Sequence, residues 1–410
     1  MKKFLAMLLA LVMALSLVAC GKNETPPADD EGNKDADTTA TVKVGFITLH
    51  DENSTYDLNF INAAKEAIAN LGLTDADYIL KTNVPEGQEC YEAAVDMVDK
   101  GCNIIFADSF GHEPYMIQAA QEYPNVQFCH STGTRAHTEG LANYHNAFAS
   151  IYEGRYLAGI AAGLKLNEMI DAGKFTADEA LVGYVGAFTY AEVVSGYTSF
   201  FLGVRSVCPT ATMKVTFTGS WYDEALEKEG AQKLIGLGCK LISQHADSLG
   251  APTACENANV PNVSYNGSTQ AAAPNTYIIS SRIDWAPYYE YAIKAVMNGT
   301  TIDTDWTGTL ATGSVVLTDL NTAVAAEGTA EAIAAATEKL EKGELHVFDT
   351  ATFTVKGEAL TSYKADVDTD ADYTPDTEVV HDGYFSESEF RSAPYFDLEI
   401  DGIERLDVAF

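Results

Sequence analysis

Positive charge is scarce in this sequence. The 410 residues include 25 Lys and Arg against 59 Asp and Glu, which gives a formal net charge of −34 at pH 7. Binding to nucleic acid depends on Lys and Arg that neutralise phosphates, so this balance argues against a nucleic-acid partner. It also disfavours highly anionic ligands, because we find no Lys/Arg cluster that would form a local basic site.

Cysteine is dispersed and forms no recognisable motif. Apart from Cys20, the cysteines show no CxxC pair and no Cys/His ligand spacing, so a zinc site is not expected. Most of them stand beside apolar residues, which favours buried free thiols, while a disulfide stays open as an alternative outside the cytoplasm. These cysteines are Cys90, Cys102, Cys129, Cys208, Cys239 and Cys255.

Signatures of catalysis are missing as well. The sequence has no GxSxG nucleophile elbow, no GxxxxGK[ST] phosphate loop and no dinucleotide-binding glycine spacing. Histidines neighbour acids at His50-Asp51, at His112-Glu113 and around His245, but no fixed ligand spacing links them, so a metal or hydrolytic centre is the less favoured alternative. We therefore expect a protein that is not an enzyme and has no cofactor and no metal.

The first 40 residues have the pattern of an exported, anchored protein. Two lysines precede an apolar run at 4–19, which is typical of a secretory signal peptide and shorter than the ~20 residues that span a bilayer. Residues 17–20, Leu-Val-Ala-Cys, are similar to a bacterial lipobox, which implies a signal peptide over 1–19 and lipidation of Cys20. Residues 20–40 are acidic, contain proline and lack aromatics, which predicts a flexible tether. We expect a lipid anchor on the extracytoplasmic face of a bacterial cell membrane.

From residue 41 onward, short apolar segments alternate with amphipathic ones. The first series predicts strands at 42–49 and 78–81, and a second series after residue 165 starts with a strand at 181–186. Strands that alternate with helices of about 10–15 residues indicate βαβ units and parallel sheets. Two successive series predict an α/β fold of two doubly wound lobes, in which ligands bind beyond the carboxyl ends of the strands.

The same pattern suggests the domain boundaries. A small-residue helix over 152–163 is expected to pack closely against a sheet, and Trp285, before a helix ending at 298, favours core packing. The segment 322–342 predicts an Ala-rich helix, and the tail after it predicts irregular or β-rich wrapping. We expect lobe 1 at 41–150, completed by part of 275–320, lobe 2 at 151–274, and a C-terminal helix and wrapping extension at 321–410.

Three stretches carry a resemblance to a known family: YEGRYLAGIAAGL at 152–164, VGYVGAFTYAEVVSGYTSFFLGVRSVCP at 182–209 and GSWYDEALEKEGAQKLIGLGCKLISQHADS at 219–248. Over residues 42–318 the chain resembles the basic membrane protein family of ABC-transporter substrate-binding lipoproteins. These are akin to purine nucleoside receptors, and a subgroup that looks like purine-base binders is the most similar. The resemblance implies a type I periplasmic-binding-protein fold with a hinge, and a monomer whose partners are a purine-like ligand and ABC permease subunits.

The resemblance also points to a ligand loop after the first strand. Asp51 belongs to this loop, Tyr56 matches the aromatic residue that lies against the base, and Asp57 stands where the family often has Asn. The subgroup of purine-base binders has a Trp near Ser54, which this chain lacks. A ring stacked on a heteroaromatic ligand contributes about 0.5–1.5 kcal/mol beyond area burial. The alternative is a helix-capping turn with Asp57 or Ser54 as the N-cap.

Further candidates lie just beyond the predicted strand ends. Aromatic members would cover a flat ring, while Gln244, Asp247 and Asn266 could pair with ring nitrogens or an exocyclic amine. An N-cap is the alternative role for Asp223 and Asp247, and lobe-core packing is the alternative for the aromatic members that follow the second-lobe strands. The predicted ligand-binding residues are Asp51, Tyr56, Asp57, Phe110, Phe188, Trp221, Asp223, Gln244, Asp247 and Asn266.

Together these observations predict a capture protein of an ABC importer that closes on a purine-type nucleobase or nucleoside. Closure rests on contacts that the ligand makes with both lobes. Three alternatives stay open: a ligand-sensing lipoprotein that presents its bound state to a receptor, a binder of another flat heterocycle such as a flavin, and an enzyme such as a nucleosidase.

Overall fold

The computed structural model describes residues 41–367 and 374–410, so the expected signal peptide, the tether and Cys20 lie outside the described residues. The first lobe is built on six strands: β1 (Val44–Ile47), β2 (Tyr78–Lys81), β3 (Ile104–Ala107), β4 (Gln127–Ser131), β5 (Tyr144–Ala149) and β11 (Asp305–Gly308). Their order is β11-β5-β4-β3-β1-β2, and every neighbouring pair is parallel.

The second lobe is built on seven strands: β6 (Leu181–Gly186), β7 (Thr212–Phe217), β8 (Leu241–His245), β9 (Asn262–Tyr265), β10 (Tyr277–Ile283), β12 (Val315–Leu317) and β17 (Ile403–Arg405). Their order is β12-β10-β9-β8-β6-β7-β17. All neighbours are parallel except β12, which runs antiparallel to β10.

Helices fill the connections between strands. The described helices are α1 (Thr55–Asn70), α2 (Gln88–Asp99), α3 (Glu113–Glu122), α4 (Ala136–Glu139), α5 (Ile151–Asp171), α6 (Ala191–Val207), α7 (Glu224–Gly236), α8 (Gly250–Ala258), α9 (Ala286–Asn298) and α10 (Thr329–Glu341). Short 3-10 turns occupy Phe110–His112 and Ala177–Glu179. Within the described ranges, none of these helices combines the length and apolar character needed to cross a membrane.

Each lobe has its core where helices cover its sheet. In the first lobe β1 and β3 are fully buried, and the Phe46 ring stacks on Phe106 with centroids 5.3 Å apart. Trp285 is also buried and stacks on Phe60 of α1 at 4.5 Å. Strands that are buried on both faces consist of continuous apolar residues, and such strands can therefore be predicted from the sequence. The cysteines of the described residues are free and buried.

The small-residue face of α5 makes two kinds of close contact. A Cβ added to Gly154 would lie 3.0 Å from Val315 and 3.2 Å from Ser281, side chains of the second sheet. A Cβ added to Gly159 would lie 2.1 Å from the Phe200 carbonyl oxygen, so this part of α5 packs on the backbone of α6. The expectation of packing on a sheet alone is therefore wrong for Gly159, because a neighbouring helix occupies that face.

The chain passes between the two sheets more than once. After β10 in the second sheet it returns to the first through α9 and β11, and then enters the second again through β12. Of the segment 275–320, α9 and β11 thus join the first lobe, while β10 and β12 join the second. Two sheets of mainly parallel strands, each covered by helices, confirm the predicted type I periplasmic-binding-protein fold.

The described residues after 320 pack mainly on the second lobe. The helix there is shorter than the predicted 322–342, and two small ladders follow it: β13 (Lys364–Ala365) with β14 (Thr377–Glu378), and β15 (Val380–His381) with β16 (Tyr384–Phe385). The Phe348 ring stacks on Phe396 at 4.3 Å inside the second lobe's core. The extension also contacts the first lobe, since the Ser392 N–H donates to the Asp305 carboxylate (2.8 Å).

Candidate ligand-binding site

A cavity lies between the two lobes, at the carboxyl ends of both sheets. About 370 Å³ of space free of protein atoms lies in and around it, a volume that includes the part open to solvent. Its walls come from residues that follow strands of both lobes, as doubly wound sheets favour. The lining residues are Leu49, His50, Tyr56, Asp57, Ser109, Phe110, Thr132, Glu192, Trp221, His245, Asp247 and Asn266.

The loop after β1 fixes Asp57 in the cavity wall. Ser54 is the N-cap of α1, and its hydroxyl accepts a hydrogen bond from the Asp57 N–H (3.2 Å). The Asp57 carboxylate in turn accepts hydrogen bonds from the Ser54 hydroxyl (2.5 Å) and the His50 N–H (2.7 Å). Burial alone would raise the pKa of Asp57, but the bonds from His50 and Ser54 hold this pKa below its ordinary value. Asp57 is therefore a fixed negative charge, and capping and cavity contact coexist in this loop.

Tyr56 turns its ring toward the cavity while its hydroxyl is anchored. The hydroxyl donates to the backbone carbonyl of Asp108 (2.6 Å), the residue after β3. The ring packs against Phe60, one turn further along α1, with centroids 4.8 Å apart. Burial, followed by the negative charge of Glu192, raises the pKa of Tyr56 well above its ordinary value, so the hydroxyl stays protonated at neutral pH. A ring held at both ends offers a rigid flat face to a ligand.

A cluster of aromatic rings lies in the second lobe beside the cavity. We define Phe188, Tyr190 and Trp221 as the aromatic wall. Phe188 stacks on Tyr190 with centroids 5.1 Å apart and meets Trp221 edge-on at 5.0 Å. Phe110 of the first lobe stacks on Tyr190 at 5.4 Å. Trp221 and Phe110 line the cavity, whereas Phe188 and Tyr190 contact these rings without being part of the lining.

Polar groups of the second lobe form the opposite side of the cavity. The Asn266 amide donates to the Asp247 carboxyl (3.0 Å), and His245 Nε2 lies 3.4 Å from the Glu192 carboxylate. Burial, with Glu227 nearby, raises the pKa of Asp247 well above its ordinary value. Burial lowers the pKa of His245. Amide, carboxyl and imidazole groups at this side supply both donors and acceptors to a ligand.

The two lobes touch directly beside the cavity. The Thr55 N–H and hydroxyl both donate to the backbone carbonyl of Asp247, at 3.0 and 3.1 Å. The rings of His50 and Tyr222 also meet across the lobes, with centroids 5.5 Å apart. Contacts of this kind join the loop after β1 to the loop after β8, so the structure is a closed arrangement of the lobes.

Not every predicted site residue reaches the cavity. Asp51 accepts hydrogen bonds from the Asn53 and Asn83 side chains and does not line the cavity. Asp223 caps α7 through the N–H groups of residues 225 and 226, and the Gln244 amide donates to the carbonyl oxygens of residues 246 and 248. The predicted residues that line the cavity are Tyr56, Asp57, Phe110, Trp221, Asp247 and Asn266.

The predicted ligand-binding residues do not include five polar residues of the lining, which are His50, Ser109, Thr132, Glu192 and His245. Thr132 follows β4 and has a left-handed backbone (φ 72°), and its buried hydroxyl has no hydrogen-bond partner among the described residues. The rule that ligands lie beyond strand ends would have found it, had it been applied to β4. Glu192 lies in the first turn of α6, six residues beyond the end of β6, and only its helix N-terminal position could have marked it.

The charge of the cavity restricts the ligands it can hold. Asp57, Glu192 and Asp247 contribute carboxyl groups, and the lining drawn from the described residues includes no Lys or Arg. A phosphate group would enter without a cationic partner and beside the fixed charge of Asp57, which is unfavourable at short range. The arrangement favours a neutral or cationic, flat ligand with N–H or O–H donors.

Comparison with known proteins identifies relatives of this fold and site. Residues 45–346 match the family model described as ABC transporter substrate-binding protein PnrA-like. The chain is 31% identical over 262 residues to a purine-binding protein of Brucella abortus, a match that covers 63% of this chain and 70% of that one. It is 33% identical over 247 residues to a Haloferax volcanii protein provisionally named an ABC transporter glucose-binding protein, a match that covers 60% of this chain and 59% of that one.

Solved structures support the fold. A solute-binding protein of an ABC transporter system from Aeropyrum pernix superposes with a TM-score of 0.62 at 18% identity, covering 75% of this chain and 93% of that one. Its counterpart from Conexibacter woesei gives 0.59 at 21% identity, covering 74% and 98%. Since the family model spans most of the chain, the predicted family is confirmed: this protein belongs to the PnrA-like ABC transporter substrate-binding proteins, which bind solutes rather than convert them.

Proposed function

We propose that this protein captures a purine-type nucleobase or nucleoside for an ABC importer, on the extracytoplasmic face of the membrane. One observation carries the proposal: a single cavity combines aromatic faces with carboxyl and amide groups, and both lobes contribute to it. A ligand that touches both lobes stabilises their closed arrangement, and its release permits opening.

The chemistry of the lining suits a purine ring. Tyr56 and Trp221 offer flat faces from opposite lobes, which a planar heterocycle can occupy. Asp247, Asn266 and Glu192 supply acceptors for ring or exocyclic N–H groups, and the Asn266 amide supplies a donor. The printed name of the Brucella abortus relative, a purine-binding protein, points to the same ligand class.

A sugar is the second candidate. The Haloferax volcanii relative is provisionally named a glucose-binding protein, and carboxyl groups beside aromatic rings also suit a ring of hydroxyl groups. A sugar would use the carboxyl groups as acceptors but would gain less from the flat faces of Tyr56 and Trp221 than a planar base would.

A thermal-shift panel distinguishes these ligands. We expect adenine, hypoxanthine, adenosine or inosine to stabilise the purified protein, by about 2.7 kcal/mol when the ligand is at 100 times its dissociation constant. Adenosine monophosphate should give little shift, because the cavity lining lacks a cation. Stabilisation by glucose or riboflavin alone, with none by any purine, would overturn the purine assignment. Release of free base from adenosine would contradict the binding role altogether.

Membrane anchoring completes the proposal. The segment ending at Cys20 is similar to a lipobox, and the acidic stretch that precedes residue 41 would act as the tether. A cysteine that carries acyl chains holds a protein at the membrane, since each buried methylene contributes about 0.8 kcal/mol. The tether then lets the two lobes reach both ligand and permease subunits.

A further inference from the structure

The segment 403–410 runs along the second sheet toward the ligand cavity. Its strand, β17, pairs in parallel with β7, with Ile403 opposite Met213 and Arg405 opposite Val215. The next N–H, from Leu406, donates to the Val215 carbonyl (2.8 Å). Because β17 and β7 are parallel, the segment leaves the sheet at its carboxyl edge, where the cavity lies.

Asp407 anchors the segment at that edge. Its carboxylate accepts hydrogen bonds from the Phe217 N–H (2.7 Å), the Thr216 hydroxyl (2.6 Å) and the Lys233 ammonium (2.9 Å). Burial alone would raise the pKa of Asp407, but the bonds from Thr216 and Lys233 hold this pKa below its ordinary value. The position of the residues that follow is therefore fixed relative to the end of β7.

The segment then binds the loop that carries the aromatic wall. The Thr189 N–H donates to the Ala409 carbonyl (2.8 Å), and the Ala409 N–H donates to the Thr189 hydroxyl (3.0 Å). Thr189 lies between Phe188 and Tyr190, whose rings stack on each other and meet Trp221. A reciprocal pair of hydrogen bonds therefore holds the middle of this loop.

The ends of the loop have hydrogen bonds of their own, from the Ala187 N–H to the His245 carbonyl (3.0 Å) and from the Val193 N–H to the Tyr190 carbonyl (3.0 Å), so the pair with Ala409 acts on its middle. Phe188, Thr189 and Tyr190 are only half-buried, and Tyr190 caps α6 without a side-chain hydrogen bond. We propose that residues 403–409 position the aromatic wall, so that ligand affinity depends on the Thr189–Ala409 pair. This inference rests on the proposed function. It goes beyond that function because it concerns a C-terminal segment outside the family match, which ends at residue 346.

Two variants disrupt the pair, one by removing a single bond and the other by removing both. Thr189→Val keeps the size of the side chain but removes the hydroxyl that accepts from Ala409, and deletion of residues 408–410 removes both bonds. Thr189→Ser restores the hydroxyl, and Phe410→Ala is a matched control because that side chain is 81% exposed. Affinity is measured by calorimetry on the full-length mature protein for adenine, hypoxanthine, adenosine and inosine. Hydrogen exchange of the loop is measured without ligand.

We expect Thr189→Val to weaken binding of the tightest of these four purines about tenfold, or about 1.4 kcal/mol, which is the size of one to two net hydrogen bonds. Exchange around residues 187–191 should rise while the melting temperature stays nearly unchanged, and Thr189→Ser should recover both properties. Wild-type affinity in Thr189→Val would overturn the inference. If no purine binds the wild-type protein, the proposed function fails instead, and unchanged loop exchange in Thr189→Val would still refute the positioning role.

Discussion

Replacing Tyr56 by Ala tests the stacking face of the cavity. The ring lines the cavity and is held by Phe60 on one side and by the Asp108 carbonyl at its hydroxyl. Truncation to Ala removes this face and leaves a gap beside the ligand. The expected loss is about 1–3 kcal/mol, the range for base–aromatic stacking measured by alanine substitution. That corresponds to a roughly 5- to 150-fold weaker affinity at 1.4 kcal/mol per tenfold.

Tyr56→Ala also removes contacts that stabilise the fold. Affinity and stability are therefore measured separately. Loss of the ring contact with Phe60 and of the hydrogen bond to Asp108 should lower the melting temperature, and calorimetry is therefore run well below it. Tyr56→Phe keeps the ring and loses only the hydroxyl, so it should retain most of the affinity. Tyr91→Ala is the matched control, because this tyrosine on α2 bonds to Glu122 away from the cavity lining. Wild-type purine affinity in a folded Tyr56→Ala protein would refute the stacking role.

Three further outcomes are expected. Cys20→Ser should abolish fatty-acid labelling and release the protein from membranes; a labelled, membrane-held variant would contradict the anchor. Solution scattering should show a smaller radius of gyration with saturating adenosine, because ligand favours closure of the lobes, and an unchanged radius would count against a hinge. Burial raises the pKa of Glu227 from its ordinary 4.5 to about 7, so the folded protein keeps a proton that the unfolded chain loses, and stability falls as pH rises from about 5 to 7. Glu227→Gln should reduce this fall in the free energy of unfolding by up to about 3 kcal/mol, at 1.36 kcal/mol per pKa unit. Thermal unfolding across that pH range measures it, and an identical fall in the variant would show that Glu227 does not titrate there.

The apolar strands were visible in the sequence. The predicted bounds of β2 and β6 match the structure, because each is a short run bounded by turn residues. The sequence analysis did not find β5, which contains the polar residues His145 and Asn146. His145 is buried because its ring bonds the Asp303 carbonyl (3.0 Å) and the Gln127 side chain (2.9 Å). The hydrogen bonds that allow these polar side chains to be buried come from residues far away in the sequence. A strand that contains such residues therefore shows no continuous hydrophobic pattern.

In the candidate site, too, some residues could be predicted from local sequence and others could not. Residues directly after recognised strands, such as Trp221 and Asp247, could be selected by the strand-end rule alone. Gln244 was selected by the same rule, but it lies inside β8 and bonds backbone carbonyls of the loop that follows. The role of the residues around Ala409 could not be predicted, because β17 pairs with a strand about 190 residues earlier in the chain. Contacts at that separation are fixed by the tertiary fold rather than by local pattern.

Calorimetric titration of adenosine, matched against adenosine monophosphate, tests the central claim most directly. Both compounds offer the same ring to Tyr56 and Trp221, and they differ in a phosphate that the carboxyl-lined cavity does not accommodate. We expect saturable one-to-one binding of adenosine, or of adenine in the same assay, and at least tenfold weaker binding of the monophosphate. Equal or tighter binding of the monophosphate, or no binding of either base or nucleoside, would contradict the account.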